Sequence, residues 1–257
     1  MIQFLAKLGQ ATQQTIARLG FAARFLWAIG RHTSMTFLRP SLLIRQLYDA
    51  GVLSLVIISV SGLFVGLVMG LQIYNTLAVY GSTEMTGALV ALIVLRELGP
   101  VLAGIFFASR AGSSMTAEIG LMKATEQLDA MAVMAINPMA RVVAPRFWAG
   151  VIALPILTAL FNVMAIFGSY LICVRLIHMD EGVFWGQIKA VADFRYDVIN
   201  SLIKAVVFGV AVTLIAVMEG YDATPTAQGV STATTRTVVI SALTILALDF
   251  VMTAFMF

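Results

Sequence analysis

The chain has 257 residues, 60% of them hydrophobic and only 11% charged, with a net charge of +3 at pH 7. Soluble domains carry roughly 25% charged residues, so this composition excludes an ordinary globular protein and points to a chain that crosses a membrane several times. No basic patch interleaved with aromatic residues occurs, which excludes a nucleic-acid-binding protein.

Residues 1–48 hold six basic side chains (Lys7, Arg18, Arg24, Arg31, Arg39, Arg45) and no acidic one. Arg24 and Arg31 share a helical face, while Leu19, Phe21, Phe25, Leu26 and Ile29 supply apolar surface. The pattern predicts an amphipathic helix on the cytoplasmic membrane surface, ending near Pro40. No unbroken apolar core or small-residue cleavage site of a signal peptide occurs there. From Ala50 to Thr83 no residue is charged. That exceeds one straight span and predicts a tilted helix or one with a re-entrant part. Within it Gly62, Gly66 and Gly70 recur every fourth residue, a smooth stripe for close helix packing, within the chain or between two copies.

A second span is predicted from about Thr86 to Ser109. A mixed segment follows, Arg110 to Arg146, whose helix-permissive middle carries Glu118, Lys123, Glu126 and Asp129 and stops at Asn137-Pro138. The third span covers roughly Phe147 to Val174. A loop with four acids and three bases follows, then a fourth span from about Val198 to Met218 that includes Lys204. The small-residue stretch EGYDATPTAQGVSTATTR leads to a fifth span, Thr237 to Phe257, which holds Asp249. The sequence thus divides into an N-terminal interfacial helix (1–48) and a five-span membrane domain (49–257). With the N-terminus in the cytoplasm, inner segments carry eleven basic residues and outer ones three, as the positive-inside rule requires. The C-terminus is then on the far side. No internal repeat is evident, which weakens the inverted-repeat carriers as a class.

The most informative stretch is LRELGPVLAG, in which Arg96 and Glu97 stand near the centre of the second span. A charge there costs roughly 2.5–3.5 kcal/mol on insertion scales and marks a pathway or site. Neighbouring helical residues point about 100° apart, so the two cannot simply neutralise each other. Lys204 and Asp249 are candidate partners, as are a second copy, water or a ligand. Pro100, after Gly99, removes a backbone donor and frees the carbonyl of Arg96. Such irregular backbone is tolerated where it is buried or lines a wet cavity. Lys204 is close enough to a span end to snorkel to the head groups. The bland reading of the pair is a buried ion pair that fixes helix register.

Catalytic chemistry has no support. There is no GxSxG and no Gly-Lys dipeptide, hence no Walker A loop, and any ATP must be bound by another chain. His32 and His178 are isolated, so no metal site is expected. Cys173 is the only cysteine, which rules out an intrachain disulfide.

LRELGPVLAGIFFASRAGSSMTAEIGLMKATEQLDAMAVMAINP, PRFWAG and GYDATPTAQGVSTATTRTVV resemble the MlaE-type permease family. The likeness covers nearly the whole chain, strongest from Ala88 to Gly150 and from Leu202 onward, and least in the first 45 residues. The resemblance implies an all-α, homodimeric ABC-type permease of the Gram-negative inner membrane that binds no cofactor itself. It implies a cytoplasmic ATPase (MlaF-like) that holds the ATP, a STAS-domain protein (MlaB-like) and a periplasmic MCE hexamer (MlaD-like). Phospholipid would move between the inner membrane and periplasmic carriers, maintaining outer-membrane lipid asymmetry. Arg96 and Glu97 fall on the family motif without departure, which implies a lipid-cavity role, with Tyr80, Lys204 and Asp249 at matching positions. On that reading Leu71 and Leu77 would hold acyl chains, and Gly62, Gly66 and Gly70 would shape the dimer or the packing around an outward-facing cavity. The 110–146 segment would supply the helix that couples to the ATPase, through Glu118, Lys123, Glu126 and Asp129. The rival functions are an ion-coupled carrier or proton channel relaying through Glu97 and Asp249, and a scaffold with no path.

Overall fold

The computed structural model describes residues 2–256; most side chains before Gly20, and those at positions 34, 35 and 194, lie outside the description. Lys7, Arg18 and Leu19 of the expected interfacial face are among the latter. Every regular element among the described residues is helical, and five helices are long and apolar enough to cross a membrane.

Helix α1 (Ile2–Leu38) stops just before Pro40, on which α2 (Pro40–Ala50) begins. Proline suits a first helical position and drives the residue before it out of the helical region, which is where Arg39 lies (φ −120°, ψ 72°). A tight turn, Val52–Ser54, leads into α3 (Leu55–Val79). The first crossing, Pro40–Val79, is therefore one continuous path with no re-entrant loop, and the division expected at residue 48 falls inside α2. α1 is docked on the bundle: Phe25 and Ile29 are buried in a cluster with Val142, Val143 and Phe147, and Trp148 Nε1 donates to Thr33 Oγ1 at 3.1 Å. Arg24 and Arg31 stay exposed, as their shared face predicts.

The second crossing, Thr83–Ala124, joins α4 (Thr86–Ile93), α5 (Gly99–Phe107) and α6 (Ser113–Ala124) through π-turns at Val94–Leu98 and Ala108–Gly112. The helical path continues beyond Ser109, where the sequence places the end of the membrane span, and Arg110 just past it donates to the Asp49 carbonyl and to Ser54 Oγ. Short α7 (Gln127–Val133) precedes the third crossing, Met139–Leu176, built on α8 (Ala144–Tyr170). α9 (Glu181–Val191) is capped by Asp180, which accepts from Val183 N at 2.9 Å. The last crossings are Arg195–Asp222, mostly α10 (Ile199–Asp222), and α11 (Ala227–Met256).

Close glycine contacts fix the directions. Gly62, Gly66 and Gly70 meet Phe161, Ala165 and Ser169 in turn, so α3 and α8 run parallel. Gly150 meets Thr213 and Gly209 meets Val151, so α10 runs against α8. Gly104, Gly112 and Gly120 meet Ile245, Thr237 and Val230, so α11 runs against the second crossing. The expected glycine stripe is thus spent on packing inside the chain. A Cβ on Gly66 would fall 1.9 Å from the Ala165 carbonyl oxygen, and one on Gly168 2.3 Å from that of Leu63. Backbone meets backbone, the arrangement small residues permit in lipid. Across α6, α10 and α11 the fully buried Thr116 Oγ1 contacts the Ala216 carbonyl at 2.9 Å and Thr237 Oγ1 at 2.8 Å.

The seam gives a graded prediction. A Cβ at Gly62 would meet Phe161 O at 3.0 Å, against 1.9 Å at Gly66. Gly66→Ala should therefore lower the thermal unfolding midpoint in detergent clearly more than Gly62→Ala, overpacking costing about 1–3 kcal/mol or more.

Candidate functional site

The π-turn Val94–Leu98 presents Arg96 and Glu97 on successive directions, and α5 restarts at Gly99-Pro100. The Gly99 N–H bonds the Val94 carbonyl, five residues back. Pro100 has no N–H for the Arg96 carbonyl, and that oxygen instead accepts from Lys204 Nζ of α10 at 2.8 Å. A Cβ on Gly99 would lie 1.7 Å from Asn162 Oδ1 of α8 and 2.7 Å from the Val94 carbonyl oxygen, so a larger residue there displaces both neighbours. Asn162 is itself held by its Nδ2, which donates to Ser201 Oγ at 3.2 Å.

Lys204 is fully buried rather than snorkelling, although it stands only five residues into α10. Its ammonium also donates to Asp249 Oδ1 at 3.0 Å and to Thr253 Oγ1 at 2.7 Å, both on α11, and lies 3.5 Å from Glu97 Oε2. The Thr253 hydroxyl is 3.2 Å from both Glu97 oxygens. Arg96 turns the other way. Its Nε donates to Asp197 Oδ1 at 2.7 Å, and its guanidinium lies 5.9 Å from the Tyr196 ring centre. Asp197 is buried and receives a further bond from Asp193 N at 2.9 Å. Three carboxylates (Glu97, Asp197, Asp249) thus face two cations (Arg96, Lys204). The Arg96 and Glu97 side chains keep 33% and 38% of their surface exposed, while Lys204 keeps none.

The structure therefore joins Arg96, Glu97, Lys204 and Asp249 in one cluster with Gly99 and Pro100. It lies nearer the end where α10 begins and α11 finishes than midway along the bundle. Asp197, Tyr196 and Thr253 belong to it and are not singled out by the sequence; the one signal it offers is that Asp197 directly precedes the predicted fourth span. Tyr80 stands apart, 77% exposed where α3 ends, 16 residues before Arg96. Leu71 is exposed on α3, and Leu77 packs partly buried against the main core. At the opposite end Glu118 bridges Arg146 at 2.9 Å, and Lys123 Nζ donates to the Tyr221 carbonyl at 2.8 Å. Glu126, in a left-handed conformation (φ 58°), and Asp129 are exposed around α7.

Five apolar crossings, three of which build a partly open charged cluster, describe a helical membrane permease. The sequence comparisons say which kind. A family model described as "Permease MlaE" matches residues 43–255, and the chain belongs to the MlaE permease family. It is 48% identical over 257 residues, all of this chain and 98% of the relative, to the Haemophilus influenzae intermembrane phospholipid transport system permease protein MlaE. It is 35% identical over 221 residues to a probable ABC transporter permease protein of Rickettsia typhi, covering 84% of this chain and 83% of that one. It is also 31% identical over 220 residues to the chloroplastic TRIGALACTOSYLDIACYLGLYCEROL 1 of Arabidopsis thaliana, covering 83% of this chain and 61% of that one.

Breaking one side of a buried ion pair costs about 3–5 kcal/mol, whereas an exposed partner is replaced by water. Lys204→Met should destabilise the fold by that order, and Glu97→Gln by far less; unfolding of the purified variants in a denaturing-detergent titration checks the ranking.

Proposed function

We propose that the chain is the permease subunit of an ATP-driven phospholipid transporter in a Gram-negative inner membrane, acting as a pair of copies. The observation that carries this reading is the Arg96–Glu97 pair. Two charged side chains on a broken crossing are about one-third exposed while the ammonium between the helices is sealed. A phospholipid supplies what such an open charged site in apolar surroundings can bind, a phosphate for Arg96 and a polar head group for Glu97. The second copy closes the exposed side into an outward-facing cavity, with Tyr80 and Leu71 on its wall and Leu77 behind them. Membership of the MlaE permease family and the name of the Haemophilus relative support the substrate class.

The chain holds no nucleotide motif, so ATP is hydrolysed on a cytoplasmic ATPase (MlaF-like). A STAS-domain protein (MlaB-like) and a periplasmic MCE hexamer (MlaD-like) complete the assembly, which exchanges lipid with periplasmic carriers and maintains outer-membrane lipid asymmetry. The basic-residue bias supports a cytoplasmic N-terminus and a periplasmic C-terminus, which turns the charged cluster toward the periplasm. It also turns α7 toward the ATPase. Glu126 and Asp129 are the exposed polar contacts there, while Glu118 and Lys123 brace the helices that receive the push.

Glu97→Lys sets a second cation beside Lys204. It should slow ATP-dependent transfer of labelled phospholipid in the reconstituted complex at least about tenfold, the scale of one lost charge-assisted contact, and make the outer membrane leaky to detergent at normal subunit abundance. Normal transfer by both Glu97→Lys and Arg96→Glu removes the site assignment. Transfer abolished by an uncoupler while ATP is maintained supports the ion-coupled alternative instead.

A further inference from the structure

Two pairs of arginines at the cytoplasmic end of the bundle differ in their commitments. Arg110 and Arg146 are committed inside the chain, to the Asp49 carbonyl and to Glu118 respectively. Arg39 and Arg141 are exposed and make no ion pair among the described residues. They come from distant parts of the sequence to one pocket of about 430 Å³, whose wall also carries His32, Leu42, Ile136 and Asn137 and no carboxylate.

The pocket is built rather than accidental. The non-helical backbone of Arg39 (φ −120°, ψ 72°), imposed by Pro40, turns the chain between α1 and α2 and places one guanidinium at the bend. Asn137 fixes the opposite wall: its Oδ1 accepts from Met139 N at 2.9 Å, and its Nδ2 lies 3.2 Å from His32 Nε2, tying that loop to α1. An adjoining pocket shares Leu42 and Arg141 and contains Asp49 and Glu118, so the acids lie beyond the first pocket.

The surroundings indicate the occupant. The two helices that wall the pocket expose large apolar side chains, Trp27 and Leu38 on α1 and Ile44 and Tyr48 on α2. Helices with this mixture lie at the membrane interface, with tryptophan and tyrosine at head-group depth. Basic pockets between helices at that depth select acidic head groups. We infer that this pocket binds the phosphate of an acidic phospholipid of the cytoplasmic leaflet, held between Arg39 and Arg141 with its acyl chains along Leu42 and the exposed apolar face. It is distinct from the Arg96 cluster, which lies toward the other end of the bundle and has more carboxylates than cations. A pocket with two guanidiniums and no carboxylate offers no counter-charge to the amine of a zwitterionic lipid, so phosphatidylglycerol or cardiolipin is preferred over phosphatidylethanolamine.

Native mass spectrometry of the purified full-length protein, delipidated and titrated separately with phosphatidylglycerol, phosphatidylethanolamine and inorganic phosphate, tests the site. The wild type should retain phosphatidylglycerol in preference to phosphatidylethanolamine. The exposed-residue variant Arg39→Gln/Arg141→Gln should bind phosphatidylglycerol at least about tenfold more weakly, with phosphatidylethanolamine binding and thermal midpoint unchanged. Arg39→Lys/Arg141→Lys, which keeps the charge and loses the planar fork, should recover part of the difference. Equal phosphatidylglycerol retention by wild type and the glutamine variant overturns the proposal. Competition by inorganic phosphate at the same concentration as the lipid overturns its lipid part and leaves a free-phosphate site. If the glutamine variant instead loses a co-purifying protein subunit with lipid binding intact, the pocket is a protein dock and the proposal fails.

Discussion

A buried ammonium ties the fourth crossing of this bundle to the second and the fifth. Lys204 of α10 reaches the Arg96 carbonyl on the second crossing and the Asp249 and Thr253 side chains on the fifth, with Glu97 close by. An isolated cation in that position would be expelled by its desolvation cost, and it is tolerated because oxygen acceptors surround it. One of those acceptors is left without the N–H that a residue other than proline at position 100 could offer it, so the Arg96 carbonyl is open to the ammonium. The helix breaker and the sealed lysine are therefore two parts of one arrangement, and neither makes sense alone.

The same arrangement divides labour between the two charges of the second crossing. Arg96 is anchored by the buried Asp197 and shielded on one side by Tyr196, so its position is set by the start of the fourth crossing. Glu97 is positioned through Thr253 and Lys204, so its position is set by the fifth. Each retains exposed surface while its orientation is fixed from behind. That is the condition for a binding group to recognise a ligand without first losing much side-chain freedom. A shift of either neighbouring helix would move one charge relative to the other.

Much of this was legible in the sequence, for identifiable reasons. Charges are so scarce that the crossings delimit themselves, and the four-residue glycine spacing marks a packing face. Pro100 announces a free carbonyl by simple valence. What the sequence hid was three-dimensional. The glycine stripe cannot say which helix it meets, and the answer, α8 in parallel, required the fold. Lys204 looked close enough to the membrane edge to snorkel, because distance along the helix does not reveal which side faces the core. Asp197 looked like one more loop acid beside Asp193 and Arg195, yet the π-turn it occupies points it inward. Thr253 carried no signal, being one threonine among many. Arg110 looked like the end of a crossing, yet the helix continues beyond it and the fold absorbs its charge. The cost of intramembrane charge already named Lys204 and Asp249 as candidate partners of Arg96 and Glu97, and the likeness of motifs to the MlaE permease family added what periodicity could not, an expected lipid-cavity role for that pair.

The α3–α8 seam has a mechanical meaning as well. Where Gly62, Gly66, Gly70 and Gly168 bring two main chains into direct contact, no flexible side chains lie between them to absorb sliding. Over that stretch, Gly62–Gly70 against Phe161–Ser169, the pair consequently behaves as one stiff beam. Bending is left to the places where helical hydrogen bonding is already irregular, such as the turn at Gly51–Ser54 and the wide turns beside Gly99 and Gly112. Any alternating movement in this protein has to swing α4–α6, α10 and α11 against that beam.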